Sequence, residues 1–211
     1  MSARKKSLWL VSIVLLVLII DQSIKFWIKT HLVIGESIHV FSWFQLLFVE
    51  NNGMAFGMEL IGKLFLSLFR VGAIIAIIFF LRQIIKKGYR LGFIICIGLV
   101  LAGAIGNLID SAFYGMVFTH SYGQIATFLN HPEGAPGYSS FLHGRVVDMF
   151  YFPIIKNAQG ETIFFSPVFN FADSSVTVGV ALILLLFRND LNKSMETKSK
   201  KGTEVKDEIT K

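Results

Sequence analysis

Long apolar runs, broken only by isolated acids and amides, constrain this chain more than any other feature. A bilayer's hydrocarbon core needs about 20 mostly apolar residues to cross. Four segments meet that length, at about 8–28, 63–81, 91–110 and 168–187. Backbone groups in lipid must be satisfied internally, so each segment reads as a helix. Hydrophobic residues make up 54% and charged residues 16% of the 211, against soluble averages of about 45–50% and ~25%. That balance excludes disorder for most of the chain. The lone Cys96 excludes a disulfide scaffold.

Arg4, Lys5 and Lys6 before the first run resemble a secretory signal. Asp21, Gln22 and Lys25 follow that run with no small-x-small pattern, so it reads as a retained span. Lys and Arg number fourteen in the N-terminal tail, the 82–90 turn and the C-terminal tail, against four in the other two connections. Excess basic charge marks the cytoplasmic side, so both termini are expected there. The tail over 188–211 mixes Lys with Asp and Glu and reads as disordered. Basic residues form no face with interleaved aromatics, which argues against nucleic acid.

Two connections fall on the outer side. Residues 29–62 hold a β-prone stretch over 40–49, then Asn51-Asn52-Gly53 as a turn signal. Residues 111–167 carry Gly115, Gly123, Gly134, Pro136 and Gly137, expected to break any helix, and aromatics suited to a membrane interface. On the third span Gly98, Ala102 and Gly106 recur every four residues, a stripe that allows close helix packing.

Polar groups at membrane depth default to function. Asp21 and Lys25 share a helix face and suit a structural ion pair. Asn107 and Asp110 end the third span, and Asn170 and Asp173 open the fourth with the same spacing. Interhelical hydrogen bonding alone returns only ~0.6 kcal/mol on average, little for so many buried acids. Asp148 lies among apolar neighbours in 143–150. Two close carboxylates share one proton, so one can activate water while the other donates. The five histidines lack metal-site spacing. A proton- or ion-coupled transporter is a rival, but the acids cluster at the outer ends and no inverted repeat is evident. A scaffold using Asn/Asp pairs as helix glue is another.

These residues make the chain resemble the lipoprotein signal peptidases, the signal peptidase II family. The resemblance rests on Asp21-Gln22-Ser23-Ile24-Lys25, on the stretch from Asn51 to Gly57, and on Gly103 to Asp110. It continues in Gly144 to Phe150 and in Phe169-Asn170-Phe171-Ala172-Asp173. It covers about residues 8–187 and implies a membrane all-α fold. Four transmembrane helices would carry a small extracytoplasmic β-platform in 35–57 and 111–152, an amphipathic helix in the same ranges, and a long insertion between spans three and four.

The resemblance also implies an aspartyl endopeptidase of the bacterial cytoplasmic membrane. It would remove signal peptides from prolipoproteins by cutting before a diacylglyceryl-cysteine, as a monomer without metal or cofactor and with globomycin as inhibitor. Asp148 and Asp173 would be catalytic. Asn51, Gly53, Asn107, Asp110 and Asn170 would bind substrate, and Asp21 and Lys25 would hold the scaffold. Ser111 stands where the family usually has arginine, with Arg145 as a candidate substitute. The extra residues at about 116–143 read as a tolerated surface insertion whose removal preserves turnover.

Overall fold

The computed structural model describes residues 1–51, 62–128, 137–156, 162–164 and 167–196. Gly53 therefore lies outside the described residues. Helices α1 (Ala3–His31), α2 (Lys63–Lys86) and α3 (Leu91–Ile109) are followed by a π-helical stretch, Asp110–Tyr114, and a last turn α4 (Gly115–Val117). Then come β3 (Val146–Tyr151), β4 (Ile155–Lys156), β5 (Thr162–Phe164) and α5 (Phe171–Leu186). Strands β1 (Ser37–Phe41) and β2 (Phe44–Asn51) lie between α1 and α2.

Three helices are long and apolar enough to cross a membrane, with Leu91–Val117 counted as one. A fourth crossing requires α5 together with the helix Arg188–Glu196 (α6), which bends from it by 85°. The fourth span is thus shorter than the run over 168–187 suggests. Asn170 ends it early by accepting from the Asp173 amide while Asp173 accepts from the Asn170 amide, a reciprocal cap. The first part of the expected disordered tail is helical instead, over Arg188–Glu196.

Helix α3 is the hub. Its Phe93, Ile94, Ile97 and Leu101 bury with Ile74, Leu81 and Ile84 of α2. Its small residues do what the stripe implied. Gly98 meets Leu10 and Ile13 of α1, Ala102 is fully buried, and a Cβ on Gly106 would stand 2.7 Å from the Asp21 carboxylate. A Cβ on Gly103 would overlap the Ala172 carbonyl, so α3 and α5 touch backbone to backbone. At the other end Lys6 Nζ donates to the Gly88 carbonyl at 2.9 Å, and Arg90 faces Asp190 at 3.6 Å. The basic N-terminus, the basic turn and α6 therefore share one end of the bundle.

At the opposite end the strands form an antiparallel sheet in the order β1-β2-β3. The β-prone stretch is split by a turn at Ser42-Trp43 into β1 and β2, and β2 runs on to Asn51. Register pairs Val49 with Asp148, Glu50 with Val147 and Asn51 with Val146.

The long connection corrects one expectation. Gly115 does not break the helix, which runs to Val117; Ser139 packs where its side chain would be. The amphipathic helix expected in parts of 35–57 and 111–152 falls partly on residues outside those described. The described parts of the insertion, 116–128 and 137–143, pack against the rest of the chain. Phe118 and Ser121 are 0% exposed, and the Phe118 ring packs at a tilt against Phe26 of α1, Tyr114 and Phe128. Tyr138, Ser139 and Gly144 donate backbone bonds back to Phe118, Gly115 and Ser111. Beneath it Lys29 pairs with Glu50, both also bonded to Ser121, and Arg145 pairs with Glu50 at 3.0 Å. Burial pushes the Glu50 carboxyl up, but Lys29 and Arg145 outweigh it and hold it below the usual carboxylate range.

Candidate active site

The site is built on a buried cation. Lys25 Nζ lies 3.0 Å from Asp21, 2.9 Å from Asp110 and 2.8 Å from Asn107 Oδ1, which uses all three of its donors. Gln22, one residue after Asp21, donates to Asp21 and Asp110 at 3.0 Å each and accepts from Tyr114. Asp21 in turn accepts the Ala172 amide at 2.9 Å and satisfies one of the orphan N–H groups that open α5. Bonds of Asp21 and Lys25 thus link α1 to the end of α3 and to the start of α5.

Asp110 belongs to this cluster and not to an open binding surface. It is fully buried, and it accepts the Val147 amide at 3.1 Å. That bond fixes β3 one residue before Asp148. The π-helical stretch beginning at Asp110 turns Asp110, Ser111 and Tyr114 inward together.

Asp148 is 3% exposed on β3. Asn170 Nδ2 donates to its Oδ1 at 2.7 Å, and Asn51 Nδ2 donates to its Oδ2 at 3.2 Å. Burial, and then the Asp173 charge, push its carboxyl up to about 7; the two amide donors pull the other way. Asp173 stands on the first turn of α5, where it accepts from Asn107 Nδ2 at 2.8 Å and the Asn170 amide at 3.3 Å. Asn170 Nδ2 also reaches Asn107 Oδ1 at 3.1 Å. Asn107 and Asn170 therefore bridge the two carboxylates. A second link comes from Phe169, which exchanges backbone bonds with Phe150 at 2.7 and 3.1 Å and ties β3 to the residue before the α5 cap. An open cavity of about 300 Å³, lined by Phe169, Asp173, Ser174, Thr177 and Val178, leads to Asp173.

Five of the expected residues, Asn51, Asn107, Asp148, Asn170 and Asp173, are brought together this way. The three asparagines do not line an empty groove; each donates to a catalytic candidate. Arg145 is committed to Glu50 and stacks over Tyr122 and Tyr138, so it is no substitute at position 111. The guanidinium that meets Ser111 is Arg70, from α2, whose Nη1 donates to Ser111 Oγ at 2.8 Å. Sequence reasoning left Arg70 unplaced and gave Gln22, Lys29 and Glu50 no part. Apart from the Gln22 bond to its neighbour Asp21, their partners lie 21 to 95 residues away, beyond any local pattern. No group of three or more metal-ligating side chains occurs among the described residues.

An acid held protonated near neutrality beside a second carboxylate can deliver a proton while its partner accepts one from water. Known proteins resemble the chain along nearly its whole length. The family model for signal peptidase (SPase) II matches residues 13–188. The lipoprotein signal peptidase of Porphyromonas gingivalis is 45% identical, covering 95% of this chain and 92% of its own length. That of Amoebophilus asiaticus is 31% identical, covering 96% and 86%. Among solved structures, a bacterial membrane enzyme determined at 2.3 Å superposes with a TM-score of 0.60 at 29% identity, covering 87% of this chain and 90% of that one. A second, at 1.9 Å, gives 0.59 at 30% identity, covering 84% and 91%.

Proposed function

The chain belongs to the signal peptidase II family of membrane aspartic proteases, which remove signal peptides from lipoproteins, and on that premise we propose the residues and the bond. Asp148 and Asp173 form the catalytic dyad, and the bond cut is the one before a diacylglyceryl-cysteine. The single observation carrying this reading is the amide bridge. Asn107 and Asn170 hold the two carboxylates in one hydrogen-bonded unit without supplying a positive charge to either.

Asp173 takes a proton from water as the water oxygen attacks the carbonyl carbon, and Asp148 gives its proton to the carbonyl oxygen. The tetrahedral species collapses as the C–N bond breaks and the leaving amine takes a proton from the dyad. The products are a signal peptide with a new carboxyl terminus and a lipidated cysteine with a free amine. The acyl chains fix that cysteine at the membrane surface, the depth of the sheet and of the first turn of α5. The largely apolar cavity beside Asp173 offers such a chain a place to lie. The site then faces outward from the inner membrane with both termini cytoplasmic, in accord with the basic residues gathered at the far end. A monomer contains every group named.

The test is purified protein in detergent with a diacylglyceryl-cysteine prolipoprotein peptide. Cleavage before the cysteine is expected, blocked by globomycin and lost in both Asp148→Asn and Asp173→Asn. Wild-type turnover by either variant refutes the dyad. Equal rates on a peptide with unmodified cysteine refute positioning by the lipid.

A further inference from the structure

Once the asparagines are occupied, the site is short of donors for a substrate. Asn170 spends both amide hydrogens, on Asp148 and Asn107, while Asn107 gives one to Asp173 and Asn51 one to Asp148. Lys25 is saturated by Asp21, Asp110 and Asn107. A peptide entering this site would lose water from its backbone carbonyls, and an unpaired carbonyl in a dry site is costly.

One group has most of its donors to give. Arg70 carries five N–H donors, and among the described residues its one hydrogen bond is to Ser111 Oγ. It is half-buried within a span, where a charge is expensive and marks function. No carboxylate of the described residues comes within ion-pairing distance of it. Its position is set by a short chain of bonds. Ser111 Oγ donates to the Asn107 carbonyl at 3.0 Å, and the Asn107 side chain holds Asp173. The guanidinium is thus fixed relative to the dyad with most of its fork open.

We propose that Arg70 is the substrate-binding donor of this site, its guanidinium taking backbone carbonyl oxygens of the peptide beside the scissile bond, with Ser111 as its anchor. The proposal rests on the peptidase reading above. Carbonyls flanking the cut are bound equally in ground state and transition state, so their loss appears in KM and leaves kcat nearly unchanged.

The experiment is steady-state cleavage of the diacylglyceryl-cysteine peptide by wild type, Arg70→Ala, Arg70→Lys and Ser111→Ala across pH. Hydrogen bonds to a charged group predict a KM raised roughly 10- to 100-fold in Arg70→Ala. The expected pH profile is unshifted, and added guanidinium ion restores part of the loss. Arg70→Lys keeps the charge without the planar fork and falls between, and it carries the same test if Arg70→Ala does not fold. Ser111→Ala raises KM several-fold. An unchanged KM in active Arg70 variants overturns the proposal alone, as does a shifted pH limb with normal KM, which would make Arg70 a charge on the dyad. A wild type that cuts no lipopeptide overturns this proposal and the peptidase reading together.

Discussion

Raising the pH past neutrality removes the proton on which the dyad depends. Burial and the neighbouring Asp173 lift the Asp148 carboxyl from 3.8 to about 7, an interval of about 3 pH units. At 1.36 kcal/mol per unit this is ~4 kcal/mol of preference for the protonated form in the fold. The rate of lipopeptide cleavage should therefore hold up to about neutrality and fall near tenfold per pH unit above it, the limb belonging to the coupled pair. The same proton acts on stability. Between 3.8 and about 7 the folded chain keeps a proton that the unfolded chain has released. Stability present at acid pH is thus lost as the pH rises through that window, by up to ~4 kcal/mol. Asp148→Asn cannot titrate and should lack this slope. Asn51→Ala removes a donor to the ionised form and should move the rate limb upward by roughly 1 pH unit. The assays are a fluorogenic lipopeptide followed from about pH 5 to 9 and thermal denaturation in detergent over the same range. A rate that stays flat to pH 9 refutes the argument, as does an Asp148→Asn variant that loses stability in parallel with wild type.

Lys25→Met leaves Asp21 and Asp110 buried without their cation and should cost about 3–5 kcal/mol. That lowers the denaturation midpoint by roughly 6–20 °C, and a midpoint within ~2 °C of wild type counts against the buried triad. Phe118→Ala empties a fully buried aromatic site and should cost about 3–5 kcal/mol. Deleting 117–142 should give no monodisperse protein on size exclusion, whereas a folded, active deletion would restore the surface-loop view. Gly103→Val forces α3 and α5 apart where they touch backbone to backbone, and should lower activity at least roughly tenfold at about 1–3 kcal/mol of destabilisation. Gly72→Ala, with no described atom within 4 Å of its new methyl, serves as the unchanged control.

The apolar runs and the Asn-x-x-Asp repeats were legible because membrane crossing and helical spacing are local properties. The Gly98-Ala102-Gly106 stripe was legible for the same reason. What each polar side chain points at was not. Asn107 and Asp110 share a face by spacing, yet one reaches Asp173 and the other Lys25 and Gln22. That division depends on where α1 and α5 lie. Aromatics in the long connection read as membrane-interface residues, which Tyr122, 58% exposed, allows. Phe118 instead closes a core with Ile28, Phe48 and Met149, a placement only tertiary packing could fix. The clue available was charge scarcity. The outer connections hold few ionisable groups, so Lys29 and Glu50 were candidates to find each other.

The arrangement keeps cations one bond away from the dyad, and Asn107 is the spacer. Its Oδ1 takes Lys25 at 2.8 Å and its Nδ2 gives to Asp173 at 2.8 Å. A neutral amide passes the position of the buried cation to Asp173, the proposed base, without supplying a positive charge to it. A full ion pair there would favour two ionised carboxylates and expel the proton the dyad needs. Asn107→Asp tests this with almost no change in shape. The new carboxylate keeps Lys25, and it keeps the Asn170 amide on the oxygen that now receives it. The atom facing Asp173 changes from a donor to a second acceptor. Two carboxylate oxygens at that separation need a proton between them, and Asp173 can then no longer serve as the base. Cleavage should fall about 100-fold or more while the melting midpoint stays within a few degrees, because the buried cation gains an acid. Near-normal turnover in folded Asn107→Asp would show that the amide is replaceable and that the dyad tolerates charge at its edge.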